Sequence, residues 1–245
     1  MKSYLKFAML LYVCLTLINC SNDESTNSND DPILETVTDI DGNTYNTITL
    51  GNQVWMLENL KTTTYNDGTP ITMYSFDIHG NNWVNFNNPE ALYQWANTSD
   101  LNNVHEEELP FDYYGAMYNH LALESGKLAP EGWRIPTVQD FIELQNFIAS
   151  NGNAGTEADA LKSASGWLTS SGNGSDLFGF KGLPNGYVNT FGGPTASEII
   201  CTWATTNTNE NDQTRTMVSL FDESEILYLD NSIRIGAAVR CIKIQ

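Results

Sequence analysis

The sequence predicts an α+β domain, and three features of the chain lead to that class. Short runs rich in β-branched and aromatic residues recur near both ends and are separated by turns that contain Gly and Asn. Two segments in the middle, 138–149 and 157–165, have helical spacing and capping residues. Strand-like runs then return up to the C-terminus. Strands gathered around a few helices, without regular strand–helix alternation, are typical of an α+β fold.

The first strands are predicted within residues 36–57. This segment, TVTDIDGNTYNTITLGNQVWML, holds tight-turn signals at 41–43 and 51–52 with β-rich runs between them, so we expect a three-stranded meander. From residue 73 to residue 118 aromatic residues are dense, and Asn residues lie among them. Within this region the segment PEALYQWA, 89–96, is predicted to form a short helical turn.

The first long helix is predicted over residues 138–149. Thr137 has a side chain suited to an N-cap, and Asp140, three residues later, is its reciprocal partner in a capping box. The apolar stripe that would face the core then recurs at helical spacing, at Phe141, Leu144 and Ile148.

The segment GKLAPEGWRIPT leads into this helix. The residue before Pro136 must be extended, so Trp133 is expected to cross the core in a strand-like entry. We expect Trp133 to pack and Arg134 to bond loop carbonyls; a catalytic Arg134 is the alternative. A second helix is predicted over 157–165, with Thr156 as its cap.

The last third of the chain is predicted to return to strands. The run IICTWATT is apolar and β-branched, and TRTMVSLF and EILYL are predicted to form a hairpin across residues 222–224. The run RIGAAVRCIKI is predicted to end the chain as one strand.

Residues 1–19 are predicted to be a bacterial lipoprotein signal peptide. Two lysines precede an apolar run at 7–18, which is shorter than the ~20 residues that span a bilayer. The run ends at Cys20 in LINC, which resembles a lipobox whose cysteine is lipidated, although Asn19 stands where that pattern prefers Gly, Ala or Ser. Ordinary secretion, with Cys20 incidental, is the alternative.

Residues 20–35 are predicted to be the lipidated cysteine and a disordered acidic tether. The stretch SNDESTNSNDDP has no large apolar side chain and no Lys or Arg, so it cannot bury enough surface to order itself. Its start, at 21–24, resembles the acidic export signal of surface lipoproteins in Bacteroidetes-type bacteria. We therefore expect an outer-membrane, lipid-anchored protein at the cell surface. The alternative is that the acidic stretch is a solvated linker without an export signal. Residues 36–245 form the remaining domain.

The composition is acidic, with 30 acidic and 11 basic residues and a formal net charge of −19. Such a chain repels nucleic acid and anionic headgroups, so no nucleic-acid partner is expected. Once Cys14 is lost with the signal peptide and Cys20 is lipidated, Cys201 and Cys241 remain as one pair in an oxidising compartment. A disulfide between them is the prediction, and two separate buried thiols are the alternative.

Six segments, in order, resemble the Fibrobacter succinogenes major paralogous domain family. They lie between about residues 36 and 244: the opening TVTDIDGNTYNTITLGNQVWML, then YYGAMYN, GKLAPEGWRIPTVQDFIEL, FGFKGLPNGYV, TWATT and GAAVRCIKI. The family resembles the C-type lectin-like superfold, which implies small twisted antiparallel sheets, two short helices and long loops. The WRIPT and VRC elements are similar to segments of formylglycine-generating enzymes of that fold.

The chain departs from the family at two positions. Ala129 stands where members often have a cysteine, and His120 stands where they often have Trp. If the usual disulfide of the family joins the cysteine at position 129 to the one near the C-terminus, Cys241 has lost its partner in this chain. Cys201 is then the candidate replacement partner.

Three functions are compatible with the sequence. The first is a non-catalytic binding module for polysaccharide or a protein partner, with Trp83, Tyr93, Trp95 and Tyr113 as candidate ligand-binding residues, for each of which core packing is the alternative. The second is a structural or assembly lipoprotein. The third, which the sequence favours least, is a formylglycine-generating-like enzyme; no catalytic motif is present, and Cys201 and Cys241 would have to bind copper. No cofactor is expected; Asn and Asp are abundant enough to bind calcium, but no specific motif supports it.

Overall fold

The computed structural model of the chain describes residues 35–96, 98, 109–168, 172–221 and 224–245. These residues belong to one compact unit, which ends at Gln245. The predicted signal peptide, Cys20 and nearly all of the tether therefore lie outside the described residues. Within the described residues, no helix is both long and apolar enough to cross a bilayer.

The predicted N-terminal meander is present. Three antiparallel strands are joined at the predicted turns, with Thr36 opposite Asn46 and Ile48 opposite Trp55. Gly42 and Gly51, at those turns, have positive φ angles of 88° and 61°, a region that favours glycine. The three strands are β1 (Thr36–Thr38), β2 (Thr44–Leu50) and β3 (Gln53–Met56).

The remaining strands have from two to nine residues, and most pair antiparallel. They are β4 (Thr72–Met73), β5 (Leu92–Trp95), β6 (Ala116–Tyr118), β7 (Trp133–Arg134), β8 (Tyr187–Val188), β9 (Pro194–Thr195), β10 (Cys201–Asn209), β11 (Thr214–Leu220), β12 (Leu227–Ser232), β13 (Ala237–Ala238) and β14 (Ile242–Lys243).

Within the described residues these strands form three sheets. One has the order β1-β2-β3-β14-β7, a second has the order β12-β11-β10-β13-β6-β5-β4, and β8 pairs with β9. The C-terminal segment enters both large sheets: β13 lies between β10 and β6, and β14 lies between β3 and β7. The prediction of one closing strand is therefore wrong. The chain leaves one sheet after Ala238 and joins the other at Ile242, so its last residues fasten the two sheets together.

The helices are short apart from α3. The predicted second helix ends earlier than expected, because Lys162 is already extended and bridges to Gly182. A π-helical turn at Ala149–Asn153 follows α3. The helices are α1 (Phe76–His79), α2 (His120–Glu124), α3 (Val138–Ile148) and α4 (Glu157–Leu161).

The segment predicted as a helical turn at 89–96 contains β5 instead. Leu92 and Tyr93 face different core clusters, as alternate residues of a strand do. Tyr93 pairs with Tyr118 on one side and with Met73 on the other. Pairing with both neighbours therefore outweighs the weak helical preference of this segment.

In the part of the chain that the structure describes, two core clusters fill the spaces around the sheets. The first is centred on four aromatic side chains with ring centroids 5.0–5.8 Å apart, Trp55, Phe141, Phe180 and Trp203. The second contains Tyr45, Tyr118, Trp133 and Val239. Trp133 is 9% exposed, which confirms its predicted packing role.

Arg240 is fully buried against the first cluster. Its guanidinium lies 4.8 Å from the Phe180 ring centroid and 5.1 Å from that of Trp203. It donates to the side-chain oxygen of Asn59, which also accepts from the Trp203 indole at 2.8 Å, and to the carbonyl of Phe180. Burial lowers the pKa of Arg240 to about 10, so the group remains a cation at neutral pH.

The predicted capping box at the start of α3 is present. The Thr137 hydroxyl accepts from the Asp140 amide at 3.2 Å, and the Asp140 carboxylate accepts from the Thr137 amide at 2.6 Å. Arg134 differs from expectation: its main partner is this carboxylate, which it binds with two nitrogens at 2.6 and 2.7 Å. Burial opposes ionisation of Asp140, but these donors outweigh it and lower its pKa. Arg134 therefore stabilises the N-terminus of α3 through the Asp140 carboxylate.

We predict that Thr137→Ala lowers the free energy of unfolding by about 1 kcal/mol, because an orphan amide at the N-terminus of α3 loses its acceptor. Thr156→Ala is the matched control, since the Thr156 side chain makes no capping bond to α4. Urea denaturation of both variants measures the difference. An equal loss in the two variants would contradict the capping role.

Candidate functional site

A polar pocket opens on the loop between β4 and β5. Its volume is about 190 Å³, and it is lined by Ile78, His79, Asn82, Asn85, Asn88, Glu90 and Leu92. We call this concavity the loop pocket. Three of its seven lining residues are asparagines, so carboxamide groups that can both donate and accept face its interior.

Asn119 anchors this loop at its middle and close to its C-terminal end. It is fully buried, and its amide nitrogen donates to the carbonyl oxygens of Trp83 at 3.1 Å and Glu90 at 2.8 Å. Its side-chain oxygen accepts from the amides of Leu92 and Ala122, both at 3.0 Å, the second of which caps α2. One side chain therefore anchors the loop, β5 and α2 together, and this holds the pocket in shape.

Trp83 forms the buried support of the loop. Its indole packs against Gly236, where an added Cβ would lie 2.6 Å from the ring, so only glycine fits this close approach. Tyr74 meets the indole edge-on with centroids 5.4 Å apart. The loop thus rests on a packed aromatic base, although most of its Asn side chains are exposed.

His79 and Glu90 provide the titratable groups of the loop pocket. The Ser75 amide donates to His79 Nδ1 at 2.9 Å, and the Tyr74 ring stacks on the imidazole. His79 Nδ1 is also 2.9 Å from the Ser75 carbonyl oxygen, and His79 Nε2 lies 3.8 Å from the Glu90 carboxylate. Glu90 is 42% exposed, so its oxygens are accessible to a ligand.

The surroundings of the loop pocket are apolar and exposed. Phe86 lies between two of the pocket asparagines in sequence and is 43% exposed, with the Arg234 guanidinium 5.0 Å from its ring centroid. Phe76 and Ile78, on α1, are 64% and 79% exposed. Phe191 is 65% exposed, and its carbonyl accepts from the Tyr74 hydroxyl at 3.2 Å. Apolar surface and hydrogen-bonding groups thus occur side by side.

The four aromatic residues predicted to bind ligand do not form one site. Trp83 has no exposed surface and Tyr93 has 9%, so both pack in the core. Tyr113 is half-buried against the first cluster. Trp95 is half-buried and meets Tyr93 and the 63% exposed Phe111 edge-on, with centroids 5.6 and 5.1 Å apart.

Sequence reasoning missed the residues that line the loop pocket. The density of Asn between residues 73 and 118 was the available signal, but it did not distinguish the loop that is held open from the strands beside it. Phe86 and Phe111 were part of the same aromatic-rich region, and nothing in their spacing separated them from the aromatic residues that pack inward.

The predicted Cys201–Cys241 disulfide is absent from the structure, in which both thiols are free and buried. Cys201 belongs to the first core cluster and Cys241 to the second. Trp203 pairs in parallel with Ala238, so the two cysteines lie on opposite sides of this pair along the strands. Burial raises the pKa of both thiols. Cys241 faces the core together with Ala237 and Val239, which belong to the same cluster.

Metal binding has no structural support within the described part of the chain. There, no three or more His, Cys, Asp or Glu side chains are grouped so that they could hold an ion. The absence of a cofactor stays a prediction.

A second polar cluster surrounds Arg215. This arginine is 1% exposed, donates to the Thr205 carbonyl and to Glu124, and lies 3.2 Å from His120 Nδ1. These contacts join α2 to β10 and β11. Burial, and then the positive charge of Arg215, lower the pKa of His120. His120 is therefore neutral at pH 7 and can accept from the guanidinium.

These observations define a sheet-rich α+β domain that carries a loop-built polar pocket on its surface. The chain belongs to the Fibrobacter succinogenes major domain family, whose profile matches residues 48–243. This confirms the resemblance on which the fold expectation rested. No curated protein and no solved structure matches the chain.

We predict that the pH dependence of stability changes in His120→Gln. The pKa of His120 is lower in the folded chain than its ordinary value of about 6.5, so the unfolded chain binds the proton more readily. The contribution of His120 is therefore complete above about pH 6.5 and decreases as the pH falls. Denaturation between pH 7.5 and 5 should show a smaller decrease for the variant than for the parent. Identical decreases would contradict the assignment.

Proposed function

We propose that this protein is a non-catalytic binding module, and that it binds a polysaccharide at the loop pocket. The observation that carries the proposal is the combination in one concavity of three carboxamides, an imidazole and a carboxylate, beside exposed aromatic side chains. Sugar hydroxyls both donate and accept, as carboxamides do, and the apolar face of a sugar packs on aromatic rings.

The size and charge of the pocket restrict the class of ligand that it can bind. At about 190 Å³ it is smaller than the ~300–1,000 Å³ typical of sites that enclose drug-sized molecules, so it suits one sugar unit of a longer chain. Glu90 is the charged lining group, and the whole chain has a net charge of −19. A neutral polysaccharide fits this surface better than an acidic one.

The C-type lectin-like fold and the surface location belong to the same proposal. The small antiparallel sheets and long loops of the domain support the C-type lectin-like fold. The apolar run that ends at Cys20, followed by a polar acidic stretch, supports an outer-membrane lipoprotein displayed at the cell surface. Such an anchor would display the domain to the medium, where polysaccharides occur.

A protein partner is the second candidate, and the exposed apolar side chains of Met73, Phe76, Ile78 and Phe191 favour it. A structural lipoprotein without a small ligand is the third. An enzyme of the formylglycine-generating kind has no support, because its two thiols would have to share one accessible copper. Here Cys201 and Cys241 are buried in different clusters.

We predict selective binding on a glycan array and weaker binding by Asn88→Ala and by Glu90→Gln. Asn88→Ala removes a carboxamide, and Glu90→Gln removes the negative charge and one of the two acceptor oxygens. Each variant therefore loses a hydrogen bond with a sugar hydroxyl, which costs about 0.5–1.5 kcal/mol, or roughly two- to twelvefold in affinity. Asn211→Ala and Glu131→Gln are matched controls, because both residues are exposed and neither lines the pocket. Binding that is equal in all four variants would place the glycan elsewhere; no glycan binding, with capture of a surface protein, would favour the second candidate.

We predict that Cys20→Ser releases the protein from the membrane fraction, because the thiol that would take the lipid is gone. Fractionation of cells and labelling with a fatty-acid analogue measure the two consequences. Retention in the membrane, with the same label as the parent, would contradict lipidation at Cys20.

A further inference from the structure

Phe86 is an exposed aromatic residue that is joined directly to the wall of the loop pocket. It follows Asn85 in the chain, and both Asn85 and Asn88 line the pocket. Consecutive Cα atoms are about 3.8 Å apart, so the backbone of Phe86 lies within one residue of the pocket wall. The ring lies outside the pocket lining, and the residue is 43% exposed. A ligand that extends out of the pocket therefore has an aromatic surface beside it.

The turn that carries Phe86 is fixed by the Asn85 side chain. The Asn85 side-chain oxygen accepts from the amides of Asn87 at 3.0 Å and of Asn88 at 3.2 Å. An Asn side chain bonded to amides of the next few residues holds the backbone between them in a turn. On the other side of Asn85, Val84 is 3% exposed and belongs to the first core cluster. The turn is therefore both internally bonded and anchored in the core.

Arg234 holds the Phe86 ring from outside the loop. Its guanidinium lies 5.0 Å from the ring centroid and donates to the Val84 carbonyl at 3.3 Å. An arginine within about 6 Å of the centroid of an aromatic ring is attracted to the ring face. Among the described residues, none of the ion pairs involves Arg234, so no carboxylate there competes with the ring for this cation.

The backbone of Arg234 is itself held in place. Its amide donates to the Ser232 hydroxyl at 3.3 Å, and the preceding Ile233 is only 8% exposed. Gly236, two residues further on, packs against Trp83, the buried support of the loop. The segment that carries Arg234 and the loop that carries Phe86 are thus joined through Trp83. The position of the ring is therefore decided by the core as well as by the loop.

We infer that Phe86 is the stacking platform of a second sugar subsite and that Arg234 is the residue that positions it. The inference rests on the proposed binding of a polysaccharide at the loop pocket. With one sugar unit in the pocket, the next unit of the same chain can place the apolar face of its ring on Phe86. The ligand class follows: a neutral polysaccharide bound over at least two consecutive units, the second of which has an apolar ring face free of substituents.

The two subsites use different chemistry, so mutations can separate them. In the loop pocket, the Asn82 amide nitrogen donates to the His79 carbonyl at 2.9 Å, which leaves the Asn82 side-chain oxygen to accept from a sugar hydroxyl. The second subsite offers an aromatic face. Removing a pocket carboxamide should therefore weaken every ligand, whereas removing the Phe86 ring should weaken only ligands that reach beyond the pocket.

The test titrates the full chain with one-, two- and three-unit members of four neutral series: α-1,4-linked glucose, β-1,4-linked glucose, β-1,4-linked mannose and β-1,4-linked xylose. Within a series that binds, affinity should rise about two- to twelvefold beyond one unit, as expected of one aromatic contact. Phe86→Ala should lose this gain and bind the single sugar as the parent does. Asn88→Ala should keep the gain but bind every member more weakly. Phe111→Ala is the matched control, because Phe111 is 63% exposed, packs on Trp95 and should leave binding unchanged.

Variants of Arg234 test the positioning role. Arg234→Met removes the cation and should weaken binding of the two-unit ligand about two- to fivefold, with the single sugar unaffected. Arg234→Lys should recover most of this loss, because an ammonium is also attracted to the ring face. Lys243→Met is the control for the loss of one positive charge, since Lys243 is 49% exposed and its carboxylate partner, Glu35, lies 3.9 Å away.

The outcomes distinguish this inference from the proposed function. Equal affinity of the parent for all three lengths, or a gain that persists in Phe86→Ala, would overturn the second subsite and leave the loop pocket standing. A gain that is lost in Phe86→Ala but kept in Arg234→Met would overturn the positioning role. No binding of any member by the parent would overturn the inference as a whole, and the proposed function falls with it only if the glycan array is also blank.

Discussion

The buried guanidinium of Arg240 is the contact on which the rest of the domain depends. It lies between β13, in the centre of one large sheet, and β14, inside the other. The Phe180 and Trp203 rings flank it, and the Asn59 side-chain oxygen accepts from it. A cation without water needs such partners, so Asn59 and the Phe180 carbonyl must be in place whenever the two sheets are.

Asn59 extends this constraint to the surface. Its oxygen serves Arg240 and Trp203, and its nitrogen holds the Tyr114 carbonyl. Tyr114 then lines a cavity, and Gly115 leads into β6. Directly after β6, Asn119 anchors the loop that forms the loop pocket. Two buried asparagines, Asn59 and Asn119, thus connect the core to the surface on either side of β6.

The parts of the fold that local sequence predicts are those decided by nearby residues. The β1–β3 meander follows from its Gly-containing turns, and the start of α3 follows from Thr137 and Asp140, which bond across three residues. The prediction of a helical turn at 89–96 was wrong because the conformation of this segment is decided by pairing with Met73 and Tyr118, which are distant in sequence. The prediction of one continuous C-terminal strand was wrong because the two halves of that segment pair with strands of different sheets.

The sequence by itself determined the acidic composition, the helix start at Thr137, the early turns and the family, since these depend on residue types and short-range spacing. Only the tertiary structure decided which aromatic residues are buried. Trp83 and Phe86 are three positions apart, yet one has no exposed surface and the other is 43% exposed. It also decided that Cys201 and Cys241 lie in different clusters. The reason is physical: burial and pairing depend on long-range contacts, and no local pattern records which segments meet.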